Sequence, residues 1–154
     1  MTSRAITNLS LCNCLALRQA SRYITGVYDQ MLSAAGLRVT QFSILYKLSA
    51  LGPMTVNQMS AELVMDRTTL TRNLKPLERD ELVVSGPSEH DRRERVIDLT
   101  PAGKAKVKAM LPLWRKVQQT FEQNFGAERA DELRRLLRDV VDTGIHELQQ
   151  GARR

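Results

Sequence analysis

Apolar residues recur every three or four positions along most of the chain, which is the spacing of one buried face of an α-helix. This spacing predicts a long first helix over residues 8–34. It also predicts a second helix that begins near Thr40, a good N-cap residue, and stops at residues 51–53. The apolar stripe of the first helix consists of Leu9, Cys12, Ala16, Ala20, Tyr23, Val27 and Met31, and the second helix is predicted to bury Phe42, Leu45 and Leu48.

Two short helices joined by a tight turn are predicted next. Thr55 and Gln58 have the spacing of a capping box, in which each side chain bonds the backbone N–H of the other. Asp66 can cap the helix that follows. The predicted inner face of that helix consists of Leu70, Leu74 and Leu77. With a turn at residues 64–65, the pair forms a helix-turn-helix. Pro76 has no N–H group, so we expect it to kink or end the second helix of the pair.

The pattern then changes to two short runs rich in branched residues, which is typical of β-strands. Residues 82–85 and 95–99 are the predicted strands. The polar, turn-rich residues 86–94 between them predict a hairpin with a long exposed tip. A helix-turn-helix followed by such a hairpin is a winged helix. The predicted fold is therefore mainly α with a small β-hairpin.

Two further helices are predicted after the hairpin. Thr100 and Pro101 begin the first of them as N-cap and first helical residue, and it runs towards Asn124 with a bend at Pro112. The last helix follows Gly126. The apolar stripes are Leu111, Trp114, Val117, Phe121 and Phe125, and then Leu133, Leu136, Leu137, Val140, Val141, Ile145 and Leu148. One small winged helix cannot cover so much apolar surface, which predicts a dimer formed by both chain ends. A helical subdomain within one monomer is the alternative.

Length and composition limit the classes of function. The chain has 154 residues, of which 42% are apolar and 26% charged, so it can form a packed soluble domain with dimerisation arms. No apolar run reaches roughly 20 residues, the length that a membrane helix needs. Residues 9–17 are too short for a signal peptide. Two cysteines and two histidines match no disulfide framework or zinc site. We therefore expect a cytoplasmic protein with no metal, cofactor or membrane partner.

The net charge of +6 fits an acidic partner such as nucleic acid, but it is unevenly distributed. Residues 55–100, which contain the predicted winged helix, hold seven basic and nine acidic side chains. A prediction of DNA binding must therefore rest on local clusters. The outward face of the second short helix and the hairpin tip supply the candidates Arg67, Thr68, Thr69, Thr71, Arg72, Lys75, Arg92 and Arg93. In the major groove Arg and Thr can contact base edges, and Lys75 can contact a phosphate. The two tip arginines suit phosphates or a narrow minor groove.

Other functions remain open at this point. A solvated charged face is the alternative for each candidate residue taken singly. An enzyme is not indicated, because the sequence has no glycine-rich phosphate loop, no His-x-x-x-His pair and no nucleophile elbow. The main rival is a winged helix that binds protein. Basic groups on both the second helix and the hairpin tip favour DNA over that rival.

A set of short motifs runs through the predicted winged helix. The motifs are Asp66-Arg67, Leu70-Thr71-Arg72, Leu77-Glu78, Asp91-Arg92-Arg93, and Leu99-Thr100 with Gly103, and Gly36-Leu37 and Gln41-Phe42 lie upstream. With these motifs the sequence resembles the MarR family of bacterial transcription regulators. The resemblance implies one MarR-like domain over residues 1–154. Within it, a winged helix DNA-binding core at 37–100 lies between dimerisation helices at 1–36 and 101–154. A homodimer that binds a pseudo-palindromic double-stranded operator is also implied.

The resemblance further implies a repressor that a small molecule releases from DNA. Family members commonly lose DNA affinity when a small, often aromatic, ligand binds between the dimer helices and the winged helix. Arg22, Tyr28 and Met65 are ligand-binding candidates by resemblance, and an ion pair or a packing role is the alternative for each. One position departs from the family: Glu81 stands where Gly is usual, so it must adopt that turn geometry.

A thiol switch is the second regulatory hypothesis. In the peroxide-sensing OhrR branch, a reactive Cys of the first helix is supported by tyrosine hydroxyls. Cys14 falls at that position and Tyr28 at one supporting tyrosine, but Arg18 and Val39 occupy the other two. Arg18 could instead lower the thiol pKa by charge. On one continuous helix Cys12 and Cys14 would point about 200° apart and should not bridge. The alternative is that both cysteines are small buried apolar residues.

Overall fold

The computed structural model describes residues 11–88 and 94–143. The helices are α1 (Asn13–Leu32), α2 (Val39–Leu51), α3 (Val56–Glu62), α4 (Arg67–Arg79), α5 (Pro101–Phe125) and α6 (Ala127–Asp142), and the strands are β1 (Met54–Thr55), β2 (Val83–Pro87) and β3 (Arg95–Leu99). A short 3₁₀ turn, Ser33–Ala35, follows α1. The strands form one antiparallel sheet in the order β1–β3–β2. The predicted winged helix-turn-helix, mainly α, is confirmed.

The chain divides into two compact units, residues 1–115 and 116–154, with the boundary inside α5. The first unit has a continuous apolar core. Its fully buried side chains include Leu32, Ile44, Leu45, Met59, Leu70, Leu77, Ile97 and Met110. The residues predicted to face inward from α2 and α4 are all buried, which confirms the pattern there. The functional boundaries predicted at residues 36 and 100 stay predictions.

The first helix starts later than predicted. It begins at Asn13, because Cys12 has an extended backbone with φ −76° and ψ 106°. The Cys12 Sγ accepts a hydrogen bond from the Leu15 N–H at 3.4 Å, so this side chain caps the helix. The prediction of a helix that continues through Cys12 is therefore wrong, and residues 8–10 lie outside the described residues. At the other end, the 3₁₀ turn closes on Gly36, which has a φ of 72° that favours glycine.

The second helix begins one residue before Thr40, so Thr40 is not its N-cap. The Val39 N–H donates to the Asp29 Oδ1 of α1 at 2.7 Å, and the Arg38 N–H donates to the Gln41 side chain at 3.0 Å. These acceptors satisfy N–H groups that a helix start leaves free, so the helix can begin earlier. The helix ends at Leu51, as predicted.

The helix-turn-helix is built as the sequence predicts. The Thr55 hydroxyl accepts from the Gln58 N–H at 3.1 Å, and Gln58 Oε1 accepts from the Thr55 N–H at 2.8 Å. The Asp66 Oδ1 accepts from the Thr69 N–H at 2.8 Å and caps α4. Pro76 does not end α4, which continues to Arg79. Leu77 just beyond it is fully buried, and this tertiary packing holds the last turn in place.

The sheet has one strand more than the predicted hairpin. β1 pairs with β3 through Met54 and Ile97, and two residues are too few to show a strand period in the sequence. β2 pairs with β3 from Val83–Leu99 to Pro87–Arg95, so it extends two residues further than predicted. The predicted turn geometry at residue 81 is confirmed, since Glu81 has a φ of 54°.

The junction between the sheet and α5 follows the prediction closely. The Thr100 hydroxyl accepts from the Gly103 N–H at 3.0 Å and donates to the Glu81 carbonyl at 2.6 Å, so it caps α5 and ties it to the turn before β2. α5 starts at Pro101 and continues through Pro112 to Phe125.

The second unit is described over residues 116–143 and contains the end of α5 and all of α6. Phe121 and Phe125 stack with ring centroids 5.2 Å apart, and the Arg129 guanidinium lies 4.4 Å from the Phe125 ring centre. Exposed apolar residues of α6 are Leu136, Leu137, Val140 and Val141, each between 40% and 52% exposed. The predicted stripe residues Ile145 and Leu148 lie outside the described residues. Within the described part of the chain, no helix is long and apolar enough to cross a membrane.

Candidate nucleic-acid interface

Helix α4 has one buried and one exposed face. Leu70, Leu74 and Leu77 are buried in the core of the first unit. Because of the helical period, the opposite face is directed to solvent, and there the side chains of five predicted residues are exposed: Arg67, Thr68, Thr71, Arg72 and Lys75. Thr69, the sixth predicted residue of the helix, is half-buried. The structure thus brings five of the six predicted helical residues onto one accessible surface.

The first turn of α4 is fixed by its own hydrogen bonds. Hydrogen bonding to Thr69, first from its side chain and then from its backbone N–H, holds the pKa of the Asp66 carboxyl below its ordinary value. The Thr69 carbonyl accepts from the Asn73 side chain at 2.8 Å. The Thr71 hydroxyl donates to the Arg67 carbonyl at 2.8 Å and leaves its methyl group and free lone pairs for an external contact.

The cations of the exposed face have no acidic partner in the described part of the chain. No ion pair there includes Arg67, Arg72 or Lys75. At the C-terminal end of α4, in contrast, the Arg79 Nε lies 2.9 Å from Asp80, and this contact lowers the pKa of the Asp80 carboxyl. The unpaired positive charge is therefore concentrated on the first two turns of the helix.

A cavity of about 370 Å³ lies between α4 and the sheet. Its walls include Arg67, Thr71, Leu74 and Glu78 from α4, Ser85 from β2, and Arg95 and Ile97 from β3. At one end Glu78 Oε1 accepts hydrogen bonds from the Ser85 hydroxyl and from the Arg95 Nη2, the latter at 3.1 Å. Sequence reasoning missed this cluster, because its members lie 7 to 17 positions apart and share no motif.

The predicted tip residues Arg92 and Arg93 lie outside the described residues. The strands that carry the tip are described up to Ser88 and from Glu94 onwards, and the Ser88 N–H donates to the Glu94 carbonyl at 2.9 Å. This backbone hydrogen bond therefore closes the hairpin of β2 and β3 immediately before its tip. Direct contact of the two arginines with DNA stays a prediction.

Residues 37–95, from just before α2 to the first residue of β3, match the MarR family model. The solved structure of the M. tuberculosis transcriptional regulator MOSR in complex with DNA is 34% identical, with a TM-score of 0.74 over 93% of this chain and 99% of that one. The chain belongs to the MarR family.

Two curated relatives agree with this membership. The HTH-type transcriptional repressor NicR of Pseudomonas putida is 28% identical over 127 residues, which cover 82% of this chain and 80% of NicR. The organic hydroperoxide resistance transcriptional regulator of Bacillus subtilis is 33% identical over 90 residues, covering 58% of this chain and 61% of that protein. This MarR-family chain is a transcriptional regulator and not an enzyme.

The ligand-binding candidates of this MarR-family regulator lie in the first unit. Arg22 is exposed, whereas Tyr28 and Met65 are half-buried, and Met65 packs against the core. A shared ligand site at these three residues stays a prediction.

An aromatic cleft of about 180 Å³ lies elsewhere in the first unit. It is lined by Val39, Phe42, Ser43, Tyr46, Lys47, Leu63 and Trp114. The Tyr46 ring stacks on Trp114 with centroids 6.5 Å apart and an interplanar angle of 16°, and it lies 6.1 Å from Phe42. The sequence pattern predicts that Phe42 is buried and that Trp114 belongs to an apolar stripe, but it does not indicate the gap between these side chains.

The two cysteines differ in their surroundings. Cys14 is exposed on the first turn of α1, and Cys12 is half-buried at the N-cap. In the single chain, the expectation of two buried apolar residues is therefore wrong for Cys14. The argument that helical geometry separates the two thiols is also wrong, because Cys12 precedes the helix and does not have helical dihedral angles.

Proposed function

We propose that the protein binds a specific duplex DNA site as a homodimer and represses transcription there. One observation carries the proposal: the outward face of α4 presents Arg67, Arg72 and Lys75, exposed and without an ion-pair partner among the described residues. An unpaired cation on a helix is available to a phosphate or a base edge, because no existing ion pair has to be broken first. A protein-binding winged helix has no need of this arrangement, so DNA is the favoured partner over the protein-interaction alternative.

The contacts expected in the major groove follow from residue chemistry. Arg72 can donate two parallel hydrogen bonds to guanine, and the Thr71 methyl group can contact a thymine methyl. Lys75, one turn further along, suits a phosphate. Arg92 and Arg93 are proposed to add wing contacts to phosphates or a narrow minor groove. A repressor is proposed because NicR is named as one.

The test uses a pair of matched arginines on α4. The wild-type protein first selects its site from random duplexes, and binding of Arg72→Ala and Arg79→Ala to that site is then compared. Arg79 lies on the same side of the helix seven residues later and is already paired with Asp80. We expect Arg72→Ala to lose about 1–3 kcal/mol of binding free energy and to relax the preference at one base position per half-site. Equal effects of the two folded variants would contradict the proposal.

Dimerisation is proposed to use both chain ends. In the single chain, α1 exposes Leu15, Leu17 and Tyr23, and α6 exposes the apolar residues from Leu136 to Val141. Large exposed apolar patches are rare on monomers, so a second copy of the chain is the proposed cover. A two-fold dimer would place two α4 helices on one pseudo-palindromic site. Such a regulator would act in the cytoplasm, where bacterial DNA lies.

A small aromatic ligand is proposed as the effector. The supporting observation is the cleft lined by Phe42, Tyr46 and Trp114, whose ring faces could stack on an aromatic molecule. A panel of aromatic carboxylic acids should quench the fluorescence of Trp114, the single tryptophan, and weaken DNA binding. Tyr46→Ala should lower both responses, whereas Leu51→Ala, at the exposed end of α2, should preserve them. Ligand-induced release that Tyr46→Ala leaves unchanged would argue against this cleft.

Thiol oxidation is the second candidate for control. It is supported by the exposure of Cys14 and by the similarity to the Bacillus hydroperoxide regulator. A DNA-binding titration with organic hydroperoxide should compare wild type, Cys14→Ser and Cys12→Ser. Release at micromolar peroxide that is lost in Cys14→Ser would favour the thiol switch over the ligand. Peroxide insensitivity combined with release by an aromatic acid would favour the ligand.

A further inference from the structure

One carboxylate joins the recognition helix α4 to both strands of the wing. Glu78, in the last turn of α4, accepts at Oε1 from the Ser85 hydroxyl of β2 and from the Arg95 Nη2 of β3. Arg95 also donates to the Ser85 hydroxyl, so the three side chains form a closed triangle.

Towards the start of α4, the helix and the wing are separated. Arg67, Thr71, Leu74 and Glu78 follow one line along α4 and form one wall of the 370 Å³ cavity. Within the described part of the chain, no other side-chain hydrogen bond joins α4 to β2 or β3. The distance across the cavity, from the α4 cations to the wing strands, is therefore held at one end by the Glu78 triangle.

We propose that Glu78 is a positioning residue for DNA binding, which fixes the wing strands against α4 so that both engage one duplex together. This inference rests on the proposed DNA-binding function. Glu78 itself is not a DNA contact, because a carboxylate is repelled by phosphates and this one already accepts two hydrogen bonds.

The exposure of the Glu78 and Arg95 side chains indicates that their ion pair positions the wing rather than stabilises the fold. The Arg95 side chain is 62% exposed and that of Glu78 33%, and ion pairs as exposed as this one contribute little to folding. The geometry of the Glu78–Arg95 ion pair, however, sets the angle between α4 and the wing strands β2 and β3, which have few other polar contacts with this helix. Loss of the triangle should therefore change how the wing meets DNA far more than it changes the unfolding temperature.

Glu62 offers a matched control. Its side chain is 37% exposed, and its ion pair is with Lys47 of α2 rather than with a residue of a wing strand. Glu78→Ala and Glu62→Ala change the net charge equally. For Glu78→Ala we expect an unfolding temperature close to that of Glu62→Ala and weaker binding to the selected site. The slope of log K against log salt should fall by about 0.9 for each wing phosphate contact that is lost.

A double-mutant comparison with the wing arginines is decisive. In a protein that carries Arg92→Ala and Arg93→Ala, adding Glu78→Ala should cause no further loss, because the wing contacts that Glu78 positions are already absent. Ser85→Ala, which removes one hydroxyl, repeats the test if Glu78→Ala does not fold. The inference is overturned if the losses of binding free energy are additive, or if Glu78→Ala has the same salt slope as Glu62→Ala. In either case the proposed DNA-binding function stands as long as binding still depends on Arg72. Absence of DNA binding by the wild type would overturn both proposals.

Discussion

A methyl group added at residue 103 should destabilise the winged helix. Gly103 is the third residue of α5 and is buried. A Cβ at this position would lie 2.0 Å from the Leu82 carbonyl oxygen, and 3.0 Å from both the Leu82 carbonyl carbon and the Leu99 Cδ2. The nearest neighbour is backbone, so it cannot rotate away as a flexible side chain would. Either α5 or the turn before β2 must shift.

The size of the effect follows from two opposing terms. Alanine gains up to about 1 kcal/mol over glycine in helix propensity. Overpacking of a tight site costs about 1–3 kcal/mol, occasionally more, and a 2.0 Å approach is far inside the contact distance of about 3.5 Å. We therefore expect Gly103→Ala to lower the free energy of unfolding by about 2 kcal/mol. For a chain of this length the unfolding temperature should fall by about 4–8 °C.

Gly26→Ala is the control for this prediction. Gly26 also lies inside a helix, but no atom lies within 4 Å of a Cβ built on it, so alanine should stabilise α1 by up to about 1 kcal/mol. Thermal and urea unfolding followed by circular dichroism measure both variants, after sedimentation has shown that each keeps the wild-type association state. If Gly103→Ala proves as stable as Gly26→Ala, the argument from the Leu82 carbonyl is wrong.

Three further predictions concern a turn, a cap and the dimer. Glu81→Gly should raise the free energy of unfolding by about 1 kcal/mol, because Glu81 has a φ of 54°, whereas Glu81→Ala should give no such gain in the same urea titration. The Asp66 pKa is lowered in the folded state by its bond to Thr69, so its stabilising contribution is complete above the ordinary value of 3.8 and is lost as pH falls through the lower folded value. The stability difference between wild type and Asp66→Asn should therefore shrink in acid unfolding curves, and a constant difference down to pH 2 would contradict this cause. Truncation after Gly126 removes α6 and should abolish the dimer in sedimentation experiments. A truncated protein that still forms the wild-type dimer would show that α6 is not needed.

The fold was predictable wherever the capping residues and the spacing of apolar residues indicate the same helix. The Thr55 and Asp66 caps specify the start of α3 and α4 in the sequence, and the model has the same hydrogen bonds. Boundaries set by distant partners were not predictable. α2 begins early because Asp29 of α1 accepts its first N–H, and no pattern near Thr40 carries that information. β1 was missed because two residues have no visible period.

The candidate DNA interface likewise contains some residues that local spacing predicts and others that only tertiary packing brings together. Residues that share the outward face of α4 were predictable from helical spacing alone. The Glu78, Ser85 and Arg95 cluster was not, because it forms only when two strands pack against a helix. Val64 is a related case. It takes a φ of 49° in the turn between α3 and α4, a conformation that branched residues disfavour and that the sequence did not predict.

The acidic excess of the central segment does not oppose DNA binding, because its carboxylates are largely occupied. In the described residues they cap a helix start, accept a backbone N–H or pair with cations other than Arg67, Arg72 and Lys75, as seen for Glu62, Asp66, Glu78, Asp80 and Asp98. Arg67, Arg72 and Lys75 have no such partner there. Salt screens charges over about 8 Å at physiological ionic strength, so a phosphate at this face responds mainly to the cations beside it. What counts for binding is the local excess of unpaired positive charge on the first two turns of α4, and net charge summed over 46 residues hides it.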